Sequence, residues 1–191
     1  MASLNLCLEK IAFQPIFIQK DKGENGTYDF CYIYKFFAFS KKYNLFFKYI
    51  IRAEAHKDCF AIKFYCSRLR HSENKYSLIL NAFSIKETFQ IFYCVASVIP
   101  QILIKNPGSS FCFIGATTYD IHGKVENKEN NQRYRVYSEI SRNLFGKDIL
   151  EFRVSEKLSC GFFINKLKNK NLKSAEKRIV EYMYSIYNFE I

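Results

Sequence analysis

Residues 131–146 read NQRYRVYSEISRNLFG, with two arginines and two tyrosines alternating at the start of a helix-patterned segment. Guanidinium forks suit phosphates and carboxylates, and phenol rings suit the faces of unstacked bases. Arg133, Arg135 and Arg142 are therefore candidate nucleic-acid or anion ligands. Helical geometry sorts them. Val136, Ile140 and Leu144, at i, i+4 and i+8, form a core stripe flanked by Arg133 and Tyr137. Arg135, Glu139 and Arg142 share the opposite side, where exposed ion pairs worth a few tenths of a kcal/mol explain them as an ordinary wet face. Arg133 sits in the first turn, where the helix dipole disfavours a cation. Its presence there points to an anion nearby. That anion is either a carboxylate of the preceding loop, Asp120 or Glu126, or an external phosphate at the free N–H groups of the helix start. The expectation is an Arg133 guanidinium that faces outward to a ligand.

A second basic stretch, NKLKNKNLKSAEKR (165–178), offers Lys166, Lys168, Lys170 and Lys173, then Lys177 and Arg178, against Glu176 alone. It could follow a phosphate backbone, and a solvated connector explains it equally well. Phe162 and Phe163 just before it are expected to be buried and so not to stack on bases. Acid–base chemistry has one candidate pair, Asp120 and His122, in the polar loop TTYDIHGKVENKEN. Their i, i+2 spacing in a loop carries little weight. No serine elbow, HExxH or paired-carboxylate motif occurs, so a binding role is favoured over an enzyme. FIGATT ends a strand in the single Gly115 and continues into no Walker or Rossmann pattern, and no cofactor is expected. The seven cysteines form no C-x-x-C pair, and His56, His71 and His122 stand at no useful spacing from them. No metal is expected.

The elements that must hold these residues follow from pattern. At 191 residues the chain fits one domain, 1–191, in which residues 1–27 are a strand or a loosely attached arm. YDFCYIYKFFAF, NLFFKYIIRAEA and CFAIKFYC read as strands, with KYSLILN (75–81) a further short one. Ser84 and Glu87 form an S-x-x-E capping box that opens a helix running to about Lys105, with Pro100 as a stop or kink. SFCFIG is a buried strand, and the 131–146 helix has Asn131 as its cap. ILEFRV and SCGFFIN form a hairpin, and Ser174–Glu176 open a last helix. The fold class is α+β: a mainly antiparallel sheet of about six to seven strands with about three packed helices.

Lys+Arg 29 against Asp+Glu 18 gives net charge +11, a field that favours nucleic acid, anionic lipid or an acidic protein. The apolar segment Thr88–Ile104 carries Gln90, Pro100 and Gln101 and falls short of the ~20 residues of a membrane span. Glu9, Lys10, Gln14 and Pro15 interrupt the beginning before any signal-peptide core forms. With cysteines used as small buried hydrophobes, the expected location is the cytoplasm, away from membranes.

From about Phe111 onward the order of features is similar to small uncharacterised conserved bacterial proteins. The matching residues are Gly115, then Arg133, Tyr134, Arg135 and Tyr137, then Ser159 and Phe162–Lys166. The resemblance covers the last two-fifths of the chain and implies an accessory gene of a mobile or phage-defence locus, with no activity attached. The leading expectation is an accessory protein of a bacterial defence or toxin–antitoxin system that binds RNA or DNA, or a nucleoprotein, through the basic helix and the basic connector. The alternatives are a protein-interaction subunit, self-associating or with a partner chain, and a small nuclease or hydrolase.

Overall fold

A computed structural model describes residues 13–23, 26–76, 82–114, 127, 129–144, 148–155 and 159–187. Aromatic and β-branched residues in runs with short polar breaks give a meander of three long strands, β2 (Phe30–Ser40), β3 (Leu45–His56) and β4 (Cys59–Cys66). Asn44 and Lys57, at φ 51° and 57°, turn the chain between them. The Lys57 N–H donates to Asp29 Oδ2 at 2.8 Å. Ahead of them, β1 (Ile16–Lys22) pairs antiparallel with β2 through a bulge between Phe17 and Gln19, so part of the amino-terminal arm is an edge strand. Lys75 and Tyr76, the start of the strand expected over 75–81, lie in a turn, and 77–81 fall outside the described residues.

The capping box forms as read. Ser84 Oγ accepts the Glu87 N–H at 3.3 Å, and Glu87 Oε2 accepts the Ser84 N–H at 2.7 Å. The single helix expected from Ser84 to Lys105 is two, α1 (Ile85–Ala96) and α2 (Val98–Lys105), parted at Ser97. Pro100 has no N–H for the carbonyl four residues back, which is where the ladder fails. The 85–105 stretch is long and apolar enough to cross a membrane by composition, with mean hydropathy 1.4. Here Ile91, Val95, Val98, Ile102 and Leu103 are buried against the sheet.

The chain then adds β5 (Ser110–Ile114), α3 (Gln132–Leu144), the hairpin β6 (Leu150–Ser155) and β7 (Cys160–Asn165), and α4 (Leu172–Tyr187). The seven strands stand in the order β1-β2-β3-β4-β5-β7-β6, antiparallel except for β4–β5. The architecture is α+β. Strand alternation sends Phe60, Ile62, Phe64, Phe111, Phe113 and Phe163 to one face, under α1, α2 and α3. It sends Cys59, Ala61, Cys112, Cys160, Phe162 and Ile164 to the other, under Ala175, Ile179 and Met183 of α4. The six described cysteines are all buried free thiols, and burial pushes Cys94 and Cys160 up to about 12. Helix α4 covers β4, β5 and β7 and reaches β3 only at Glu54 and His56. That leaves much of the second face open on β2 and β3, and the functional geometry follows from it.

Candidate nucleic-acid interface

The antiparallel register fixes which side chains share the open face. Phe39 stands opposite Phe46, Phe37 opposite Lys48, Lys35 opposite Ile50 and Ile33 opposite Arg52. On the next strand Tyr65 stands opposite Ile50 and Lys63 opposite Arg52. The result is a checkerboard of rings, aliphatic residues and cations across three strands. Phe46 is 64% exposed and Phe37 46%, and their rings reach solvent from a rigid sheet. The Phe39 and Phe46 rings lie 5.1 Å apart. Neither Lys35 nor Lys48 has an ion-pair partner among the described residues. The four cations of the face outnumber its carboxylates, Glu54 and Asp21, so its field is positive.

Toward α4 the face is stiffened by a buried polar cluster. Glu54 accepts from Lys63 Nζ at 2.6 Å, Arg52 Nε at 3.1 Å and Tyr187 Oη at 3.1 Å. Burial opposes its charge, yet the Lys63 ammonium and the Arg52 guanidinium outweigh burial and hold the carboxyl below the usual carboxylate range. His56, 1% exposed, has Nε2 at 2.6 Å from Tyr187 Oη. Because the Tyr187 proton goes to Glu54, His56 Nε2–H is the donor in that contact, and Nδ1 is left bare without a partner. Burial accordingly holds His56 below the usual histidine range.

Beside this cluster, Tyr65 and Tyr76 meet edge to face at 5.5 Å. Lys75 Nζ lies 5.4 Å and 5.5 Å from their ring centres, and Lys63 Nζ lies 5.7 Å from Tyr76 and 4.2 Å from Tyr187. Of these, Lys63, Tyr76 and Tyr187 line a cavity of about 260 Å³, together with the other β4 residues from 61 to 64, Cys112, Phe113 and the α3 residues Arg133 and Tyr137. Burial, the largest cause for each, keeps the Tyr76, Tyr137 and Tyr187 phenols well above the usual tyrosine range, so all three stay protonated.

The residues singled out by sequence are dispersed. Asn131 caps α3 as read, its Oδ1 accepting the Tyr134 N–H at 2.9 Å. Arg133 is not on the outer surface: it is 7% exposed, its Nη1 donates to the Tyr76 carbonyl, and its guanidinium lies 5.9 Å from the Phe64 ring centre. Of the stripe expected on α3, Ile140 and the flanking Arg133 and Tyr137 are buried and Val136 packs half-buried on the core, with Tyr134, Ser138 and Ser141 buried besides. Arg135 is exposed, and its Nη1 donates to the Asn130 carbonyl. The Arg142 side chain, Gly115, Asp120, Glu126 and His122 lie outside what is described.

In the basic connector, Lys166 pairs with Glu151 at 3.1 Å and Lys168 lies 3.8 Å from Asp58. Arg178 holds Asp58 with both nitrogens, at 2.8 and 2.9 Å. Lys170 and Lys173 are exposed. Phe162 and Phe163 are buried, as expected. Connector and helix are not brought together. The connector contacts Asp58 just before β4, whereas Arg133 sits at Phe64, six residues or about 20 Å further along. Among the described residues no group of three or more His, Cys, Asp or Glu is placed to hold a metal. Comparison with protein-family models, curated proteins and solved structures finds no match to this chain.

Proposed function

We propose that this protein binds single-stranded nucleic acid, RNA or DNA, on the open face of β2–β4. The observation that supports this is Phe37, Phe46 and Tyr65 set on one sheet surface with Lys35 and Lys48, which have no ion pair among the described residues, beside the Glu54-paired Arg52 and Lys63. Rings stack on bases whose π-faces are free, and lysines between them meet the phosphates. A broad sheet face cannot enter the groove of a duplex, which favours the single strand. The reading moves the contact surface from the α3 arginines and the connector to the sheet, because Arg133, Lys166, Lys168 and Arg178 are engaged within the chain. A cytoplasmic setting is proposed with it, supported by six buried free thiols. An accessory role in a bacterial defence or toxin–antitoxin locus is proposed on the carboxy-terminal resemblance alone.

The test is fluorescence anisotropy with a labelled single-stranded oligonucleotide and a duplex of the same sequence. The wild type should prefer the single strand. The double variant Phe37→Ala/Phe46→Ala should bind it at least ~10-fold more weakly, since each stacked ring contributes about 1–3 kcal/mol. Equal binding by wild type and variant overturns the reading. The competing proposal is a protein-interaction surface, favoured by Ile16 and Ile18 standing 53% and 41% exposed on the edge strand β1. Light scattering that finds a stable dimer broken by Ile16→Lys, with no oligonucleotide binding, selects it.

A further inference from the structure

Strands β4 and β5 run parallel for three residue pairs, Cys59–Ser110 to Ala61–Cys112, and then part. No strand among the described residues pairs with that edge of β4 beyond Ala61. The cavity of about 260 Å³ opens into this split. Its walls are aromatic and fixed. The Tyr137 ring stacks on Phe113 at 4.4 Å and meets the edge of Phe92 at 4.8 Å, and Phe64 closes against Phe92 at 5.2 Å. A preformed wall of this kind requires little ordering when an occupant enters. The volume lies just under the ~300–1,000 Å³ of sites for drug-sized ligands, so the occupant is about one heterocycle in size. Polar side chains line the cavity as well: Tyr76, Tyr187 and Lys63, whose ammonium is held by Glu54, while Lys75 Nζ, with no ion pair among the described residues, stands 5.5 Å from the Tyr76 ring centre. Lys63 belongs to both the cavity lining and the open face, and Tyr76 of the lining meets Tyr65 of that face edge to face.

We infer that this cavity is a site for a single nucleotide, with the base between the aromatic walls and the phosphate against Lys63 and Lys75. The open face points to an unstacked base of a bound strand as the source, and to that extent the inference rests on strand binding. A free mononucleotide has the same chemistry. The two sources separate experimentally.

The chain has no tryptophan, and three of its 14 tyrosines, Tyr76, Tyr137 and Tyr187, line the cavity and contribute to the emission. Titration with 5′-AMP, GMP, CMP and UMP should quench it. Ala61→Leu, which fills the cavity, and Lys75→Glu, which reverses charge at the rim without touching the core, should each weaken mononucleotide and oligonucleotide binding by about fivefold or more. Phe37→Ala/Phe46→Ala should weaken the oligonucleotide alone. Circular dichroism melts verify that Ala61→Leu is folded, and Lys75→Glu carries the test if it is not. Oligonucleotide binding that both variants leave unchanged, with no mononucleotide response, overturns the cavity and leaves the open face standing. Mononucleotide binding sensitive to either variant, with no oligonucleotide binding, upholds the cavity and removes the open face. Silence from both ligands removes both.

Discussion

Gly161→Ala tests the packing that shapes the cavity. Gly161 stands opposite Phe113 in the β5–β7 pair, and the Phe113 ring lies across it. A methyl group at 161 would come within 2.6 Å of Phe113 Cε1 and closer still to Cζ, against 3.4–4 Å for ordinary contact. The ring cannot retreat onto Tyr137, already stacked at 4.4 Å, or onto Phe163 and Phe152, at 6.4 and 6.2 Å. Overpacking of this kind costs about 1–3 kcal/mol. At this chain length each kcal/mol lowers Tm by about 2–4 °C, so the variant should melt roughly 2–12 °C below the wild type. Phe113→Ala alone should cost about 3–5 kcal/mol. In the double variant the methyl group has no ring to meet, so its loss should fall short of the sum of the singles, as expected for residues in contact. Calorimetric melts of the four proteins measure this. A Gly161→Ala protein that melts with the wild type, or a strictly additive double variant, refutes the packing described. If the displaced ring enters the cavity, mononucleotide affinity falls as well.

Two further outcomes come from the polar cluster. Glu54→Gln leaves Lys63 and Arg52, both about a quarter exposed, without their carboxylate. It should cost about 1–3 kcal/mol in urea denaturation, less than a fully buried broken pair because water reaches both cations. The same change adds net positive charge to the open face, so oligonucleotide affinity at low salt should rise while stability falls. His56 is held below its ordinary value by burial, so on acidification the unfolded chain takes up its proton first, near pH ~6.5. Stability should therefore be fully present above about pH 6.5 and decline below it, by up to about 1.4 kcal/mol per pH unit, until the folded histidine titrates. His56→Gln should remove that decline in melts between pH ~7.5 and ~5. The later loss through the carboxylate range, where Glu54 is held low, should remain in both proteins.

Strand runs and the Ser84–Glu87 box were legible because each is a local signal: β-prone rings between polar breaks, and a hydroxyl and a carboxylate three residues apart. Arg133 was misplaced because pattern counts arginine as polar. Its planar head packs against Phe64 and one of its donors reaches a backbone carbonyl, contacts that accompany its burial. The open face was hidden for a different reason. Phe37, Phe39, Phe46 and Ile50 read like the second buried face of a covered strand, yet α4 does not cover them, and Phe37 and Phe46 are exposed while Phe39 and Ile50 are half-buried. The available signal was Lys35 and Lys48 recurring among them, since unpaired lysines do not belong under a helix. The cavity was not legible because it depends on β4 and β5 parting after three pairs and on Tyr76 and Tyr187 arriving from distant segments.

Strand binding by the open face is measured most directly by the salt dependence of oligonucleotide affinity for the wild type and for Lys35→Ala/Lys48→Ala. Each phosphate met by a cation contributes ~0.7 to the slope of log K against log salt, so the unpaired Lys35 and Lys48 give about −1.4, a loss of roughly sevenfold between ~50 and ~200 mM. The double variant should bind more weakly, with a slope reduced by about 1.4. A flat wild-type slope, or a variant slope indistinguishable from it, contradicts nucleic-acid binding at this face.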